Sequence, residues 1–320
     1  MMRARFLRSR DTNPYRNLAR EETLLQTIRG EAILYLWQNA STVVIGRNQN
    51  AWRECAVALL EREGGTLARR TTGGGAVFHD LGNLNFSFIL PRGAYDLPRQ
   101  LSVIQAALTS LGIACAFSGR NDLLASGRKF SGNAFRFTRE GALHHGTLMV
   151  DVDLTAMARY LQVSKEKLQA RGVKSVPSRV VNLREVGDVT VESLAGALQR
   201  AHGAEYGGEG GRALPEEDAD ALCLPGYAEL AERNALWEWN YGAAPAFDAA
   251  FEKRFEWGSV QLLLTLSQGA VAQCQVFTDA MDADLAERLS SALAGCPFDA
   301  RAMAERAKGE IGEWLGGLRI

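Results

Sequence analysis

The chain has 320 residues, a formal net charge of −1, 47% hydrophobic residues and 23% charged ones. This ordinary globular composition leaves room for one large domain and a smaller one. Near-neutral charge argues against a general nucleic-acid binder, and no apolar run approaches the ~20 residues of a membrane helix. The five cysteines, Cys55, Cys115, Cys223, Cys274 and Cys296, are scattered and never in C-x-x-C spacing. That pattern suits free thiols in a reducing compartment, hence a cytoplasmic protein, and not a disulfide framework or a zinc site. The basic opening MMRARFLRSRDT lacks the apolar stretch of a secretory signal.

In chain order, residues 14–28 read as a helix with Asn17 as its cap and Leu18, Leu24, Leu25 and Ile28 as its apolar stripe. Ile33–Trp37 and Thr42–Ile45 read as strands, followed by the polar loop Gly46–Asn50 and one short helix from Trp52 to Glu63. Thr66–Ala68 and Asn85–Leu90 are strand-like runs on either side of a glycine-rich loop. Leu97, Leu101, Ile104, Leu108 and Leu111 recur at helical spacing, and Gly112 ends that helix. Loops are expected around Asp122 and Lys129, a strand toward Val150, and helices at 154–161, 164–171 and 191–202. A glycine-rich run from Gly203 to Arg212 marks the start of a linker, in which Trp237 and Trp239 are expected as buried anchors. Three short strands and two helices (282–294 and 299–315) complete the chain. The whole predicts an α+β protein: a mixed sheet packed by helices over 1–246, linker included, and a small α+β domain over 247–320.

The chemistry concentrates between Gly64 and Leu90. Gly73-Gly74-Gly75 suits backbone that adopts positive φ or approaches a ligand closely, and convergent N–H groups in such a loop bind anions. Arg69 and Arg70 would add paired donors for phosphate or carboxylate; the plainer alternative is a glycine hairpin with two solvated arginines. No lysine follows in G-x-x-x-x-G-K spacing and the loop does not open a helix, so it is neither a P-loop nor a dinucleotide fingerprint. Lys129 sits between Gly127 and Ser131-Gly132, where small neighbours let a ligand approach; the alternative is an exposed loop lysine. Asp122 offers a carboxylate for Mg2+, a hard cation that keeps most of its waters, or else simply forms a turn with Asn121. His79, His144 and His145 are polar-turn residues or ligand contacts. No G-x-S-x-G occurs, and residues 116–222 contain no cysteine.

Together these segments resemble lipoate–protein ligase. The resemblance rests on Pro14–Ala19, Thr42–Asn50, Arg69–Asp80, Ser118–Asp122, Arg128–Gly132, His144–Leu148 and Ser175–Leu183, with Trp237–Asn240 and Gln275–Asp279 matching the long, two-domain form. It implies the fold shared with biotin–protein ligase catalytic domains. It also implies an enzyme that activates lipoate with ATP and Mg2+, forms lipoyl-adenylate and pyrophosphate, and passes lipoate to a lysine of a carrier domain. The carriers would be 2-oxoacid dehydrogenase E2 subunits or the glycine cleavage H protein, with no nucleic acid and no membrane involved, and the ligase a monomer. Carried over by position, Lys129 is the essential lysine. Arg70, Gly75, Ala76, Val77 and Phe78 contact ATP and the adenylate, Arg69, Gly74 and His79 contact lipoate, and Val173–Leu183, with Val173, Lys174, Ser175 and Arg179, covers the adenylate. Thr71-Thr72 stands where serines are common, and Phe130 where a small branched residue is common. The rivals are an octanoyl or lipoyl transferase of the same fold, which needs a cysteine near the lysine if it works through an acyl-enzyme but not if it relays the acyl group without a thioester or transfers preformed lipoyl-AMP, together with biotin–protein ligase and a non-catalytic sensor.

Overall fold

The computed structural model describes residues 2–118, 122–161, 180–207, 214–241, 248–267 and 269–318. Its centre is an eight-stranded mixed sheet. The chain-order strands are β1 (Arg3–Arg8), β2 (Glu31–Trp37), β3 (Thr42–Ile45), β4 (Thr66–Arg69), β5 (Val77–His79), β6 (Asn83–Pro91), β7 (Cys115–Ser118), β8 (Asp122–Ala125), β9 (Arg128–Phe137), β10 (Gly141–Met149) and β11 (Glu216–Asp218). The large sheet runs β11-β1-β2-β6-β10-β9-β8-β7, and β4-β3-β5 forms a second, small sheet. β1 pairs in parallel with both β2 and β11, and the remaining pairs of the large sheet are antiparallel. The basic opening segment is therefore a strand, with Phe6 and Leu7 fully buried.

Alternation along β2 builds the two faces. Ala32, Leu34 and Leu36 join the core beneath the helices Leu97–Ser110 and Val191–Tyr206. Ile33, Tyr35 and Trp37 point the other way, onto the helix Pro14–Thr27 and its Leu18, Leu24 and Leu25. That helix is capped by Asn13, whose side chain accepts from the N–H groups of Tyr15 and Arg16. The expected cap, Asn17, lies inside the helix. There its amide donates to the carbonyls of Asp11 and Gln38, because the helix starts at Pro14 and its cap sits four residues earlier.

Other expectations change as well. The segment from Trp52 to Glu63 is two short helices, Ala51–Glu54 and Val57–Arg62, broken where Cys55 turns extended. Lys129 is on a strand: Ser126 (φ 50°) and Gly127 (φ 73°) make a two-residue turn that joins β8 to β9. Trp237 is 51% exposed, stacked on Tyr241, and anchors no core. The expected helix at 164–171 lies outside the described residues.

At the C-terminal end, β12 (Ala249–Phe255), β13 (Gly258–Ser267) and β14 (Ala270–Thr278) form an antiparallel meander. The helices Leu285–Leu293, Ala300–Ala307 and Gly309–Gly316 cover it around a core of its own, from Phe255 to Leu315. The expected single helix at 299–315 is interrupted at Lys308, whose φ is 57°. The small unit rests on the larger one at the glycine loop: Gly74 N–H donates to Ala280 O (2.9 Å), and Thr278 N–H to Asn48 O (2.7 Å). Among the described residues no helix is long and apolar enough to cross a membrane.

Candidate active site

A cavity opens where the small sheet meets the large one. Its polar wall is Arg70, Gly74, Gly75 and Ala76 from the glycine loop together with Lys129 of β9. Val77 and His79 continue it along β5, while Leu18, Trp37, Val44, Asn85, Asn133 and His145 line it from the other elements, with small residues of β9 and β10 between them. Phe78 is absent from it, because alternate residues of a strand face opposite ways. Its ring packs on Tyr160 in a separate core (centroids 5.5 Å apart).

Arg70 holds the loop in shape. It is buried, and its guanidinium donates to Gly73 O (2.7 Å), Gly75 O (2.8 Å), Val44 O (3.2 Å) and Thr72 Oγ1 (2.9 Å). Drawing the loop carbonyls inward lets loop amides face elsewhere. Gly74 has φ 90°, which only glycine takes without strain, and a Cβ on Gly46 would lie 2.2 Å from Gly74 O. Burial pulls Arg70 down to about 10, so it remains charged at neutral pH. Arg69, expected beside lipoate, is not in the cavity lining. Its guanidinium donates to the carbonyls of Gly46, Arg47, Gln49, Trp239 and Asn240. It is thus a hub that ties the 46–50 loop to the helix Trp237–Asn240, and burial lowers it to about 10 as well. Consecutive residues at a strand end diverge, which is why two adjacent arginines serve different structures.

Behind the loop runs a buried hydrogen-bond chain. Arg70 Nε–H donates to Thr72 Oγ1, Thr72 Oγ1 meets His145 Nε2 (2.9 Å), and His145 Nδ1 meets Glu21 Oε1 (2.8 Å). Arginine can only donate, so Thr72 Oγ1 accepts from Arg70, and the hydroxyl and His145 Nε2 share the next hydrogen bond while His145 Nδ1 faces the Glu21 carboxylate. From the other side Trp37 Nε1–H donates to Ser87 Oγ (3.0 Å), and Ser87 to Glu21 Oε1 (2.5 Å). Both arms end on one carboxylate, which couples the loop arginine to the tryptophan wall. Sequence reading missed Glu21, Trp37 and Asn85, which come from elements without a motif.

Lys129 Nζ lies 2.7 Å from Asp122 Oδ1 across the β8–β9 hairpin, both side chains about one-third exposed. Asp122, the candidate Mg2+ ligand, is therefore engaged with the lysine, and among the described residues no group of three or more His, Cys, Asp or Glu side chains could hold a metal ion. One carboxylate still fits Mg2+ that is held mainly by substrate phosphates and water. Val180 bridges Lys129, and Val181 N–H donates to Lys129 O (2.9 Å), so the end of the predicted covering loop is fixed beside the lysine. Val173, Lys174, Ser175 and Arg179 lie outside the described residues. His144 is in the core, not at the site, stacked on Phe88 and Phe135.

Comparison with known proteins places these features in a family. The family model described as lipoyl protein ligase A/B catalytic domain matches residues 13–203, and that described as bacterial lipoate protein ligase C-terminus matches residues 244–316. Among solved structures, P. falciparum LipL1 in complex with lipoate is 28% identical with a TM-score of 0.84, covering 98% of this chain and 97% of its own. The bi-partite lipoate protein ligase of Thermoplasma acidophilum, solved with its E2 lipoyl domain, is 26% identical (TM-score 0.65), covering 78% of this chain and 100% of its own. A lipoate-protein ligase A bound with ATP is 25% identical (TM-score 0.64), covering 75% and 99%.

Proposed function

Because the chain belongs to the lipoyl protein ligase A/B catalytic-domain family and is an enzyme of the lipoate–protein ligase kind, an acid–amine ligase, we propose that it joins lipoate to a carrier-domain lysine through lipoyl-adenylate. The observation that supports this most is the meeting of Lys129 and the Gly74–Val77 loop on one cavity whose remaining walls include Leu18, Trp37 and Val44. Such a slot takes an apolar chain with its carboxylate turned toward fixed positive charge.

In the first step a carboxylate oxygen of lipoate attacks the α-phosphorus of ATP. The bond to the bridging oxygen breaks, and pyrophosphate leaves. Charge grows on the non-bridging oxygens, where Lys129, Arg70 and the amides of Gly75, Ala76 and Val77 offset it. Lys129 leaves Asp122 to do so. Mg2+, held by phosphates and Asp122, would neutralise pyrophosphate. In the second step the acceptor amine attacks the acyl carbon, AMP departs, and the amine loses a proton. Val173–Leu183 covers the water-labile mixed anhydride meanwhile. Among the described residues no cysteine lines the cavity, which disfavours a thioester-forming acyltransferase.

The acceptors on this reading are E2 lipoyl domains and the glycine cleavage H protein; the T. acidophilum relative was solved with such an E2 domain. We place the enzyme in the cytoplasm as a monomer, with residues 1–246 catalytic and 247–320 accessory; its five free cysteines suit a reducing compartment. The test is acid-dependent ATP–pyrophosphate exchange with lipoate and with biotin. Lipoate should drive exchange, biotin should not, and Lys129→Ala should lower the rate by at least about 100-fold. Near-normal exchange in that variant refutes the assignment.

A further inference from the structure

The seam between the two units carries many paired polar groups and one groove whose polar groups lack partners. Along the seam Arg47 pairs with Asp284 and Glu287, Asn48 Nδ2 donates to Ala283 O (2.8 Å), and Arg53 grips both carboxylate oxygens of Glu252 (2.9 Å each). The groove has about 290 Å³ of space and shares none of its described lining residues with the catalytic cavity. Its walls include Gln49 and Trp52 of the large unit, Trp239 and Tyr241 from the stretch that leads to the small one, and Gln275 and Phe277 of β14. Trp52 is 49% exposed, its ring 5.5 Å from that of Tyr241.

Gln49 is 1% exposed. Its side chain accepts from Gly46 N–H (2.8 Å), and only the oxygen end of an amide can do so. The other end, Nε2, is therefore a buried donor, and it has no partner. Two acceptors are in the same position: Gln275 Oε1 and Gln261 Oε1 are buried and unpartnered. Gln261 lies opposite Phe277 in the β13–β14 register, and Gln275 stands two residues before Phe277. All three side chains thus share one face of the meander, within reach of one another, while Leu262, Leu264 and Val276 fill the core on the opposite face. A smaller recess shares Gln49, Asn50 and Phe277 with the groove and adds Gln261. Buried donors and acceptors left unpaired are costly. One donor, two acceptors and an aromatic wall call for a flat ligand with an acceptor beside an NH2 group, because a single NH2 offers two hydrogens.

We propose that this groove is a second ligand site, for a planar aromatic ring that carries an NH2 group beside a hydrogen-bond acceptor, the chemistry of aminated nucleobases and of nicotinamide. The ring packs on the aromatic wall. Its acceptor takes Gln49 Nε2–H, and its NH2 serves Gln275 and Gln261. A ligand held this way touches both units. Occupancy therefore keeps the small unit on the glycine loop, where Gly74 N–H meets Ala280 O.

The experiment is calorimetric titration of the full-length protein with adenosine, cytidine and nicotinamide, each beside its counterpart without the amine: inosine, uridine and nicotinate. At least one amino compound should bind about tenfold or more tighter than its counterpart, the factor that about 1.4 kcal/mol represents, and the three arms tell nucleobase from nicotinamide. Gln49→Glu keeps the oxygen that Gly46 N–H requires and replaces the donor, so it should weaken that binding by about tenfold. Gln275→Leu, on the outer face of the meander, should weaken it similarly, and thermal melts identify a variant that fails to fold. Hydrogen exchange at residues 275–281 should slow when the ligand binds. The proposal is overturned if no amino compound binds, if the counterparts bind equally well, if both folded variants bind like wild type, or if exchange at the seam is unaltered. None of these results bears on the ligase reading, which ATP–pyrophosphate exchange tests at the other cavity.

Discussion

Thr72 offers the sharpest test of the chain behind the glycine loop. Its hydroxyl is fully buried, accepts from Arg70 Nε–H and shares a hydrogen bond with His145 Nε2. Thr72→Val preserves shape and removes both bonds. Neither orphaned group reaches water through the lost position, because Thr72 is 0% exposed. A hydrogen bond to a charged donor contributes about 1.5–3 kcal/mol and a neutral one about 1 kcal/mol, so the loss is about 3 kcal/mol. For a unit of this size that lowers Tm by about 6–12 °C. Arg70 also loses the contact that fixes its Nε, so the loop it shapes shifts and the KM for ATP rises about tenfold or more. Thr72→Ser keeps the hydroxyl and should behave as wild type in both measurements. Scanning calorimetry and ATP–pyrophosphate exchange on the three proteins decide the matter. A valine variant that melts within about 1 °C of wild type with an unchanged KM would show that the chain neither stabilises nor positions Arg70.

Two further outcomes follow from buried groups and close approaches. Burial holds His79 and His144 at about 3 and His202 at about 4, below the ordinary histidine value. The unfolded chain binds more protons between those values and about 6.5, so this stability is fully present above pH 6.5 and is lost as pH falls. At pH 5 each histidine costs about 2 kcal/mol; a urea midpoint that does not fall between pH 7 and pH 5 would contradict it. Gly73→Ala would place a Cβ 2.3 Å from Ala280 O and 2.7 Å from Met281 O, both in the small unit. It should break the Gly74–Ala280 hydrogen bond and speed hydrogen exchange at residues 278–281 with little change in the core of the large sheet. Unaltered exchange there would mean the two units do not meet through this loop.

Some of this molecule is written locally. The helix Leu97–Ser110 follows from a leucine spacing that any water-exposed helix must show, and the strand Thr42–Ile45 from a β-branched run. The order of the glycine loop, Lys129 and the C-terminal segments was enough to indicate the family, because charges and glycines at a phosphate site are constrained by chemistry that does not depend on packing. The Ser126-Gly127 turn that puts Lys129 on a strand was also present in the sequence as a turn signal.

What the sequence by itself determined, then, was which residues carry charge and where backbone must bend. Tertiary structure alone decided which of them face the ligand. Arg69 and Arg70 are chemically identical neighbours, yet one ties five carbonyls together and the other shapes the loop, since a strand sends successive side chains opposite ways. Trp37, Asn85, Glu21 and His145 come from four separate elements, and only the pairing of β2, β6 and β10 brings them together. The glycine loop meets Ala280 across more than two hundred residues of chain. Such contacts depend on long-range pairing whose entropy cost the whole fold must meet, so no local pattern of residues encodes them.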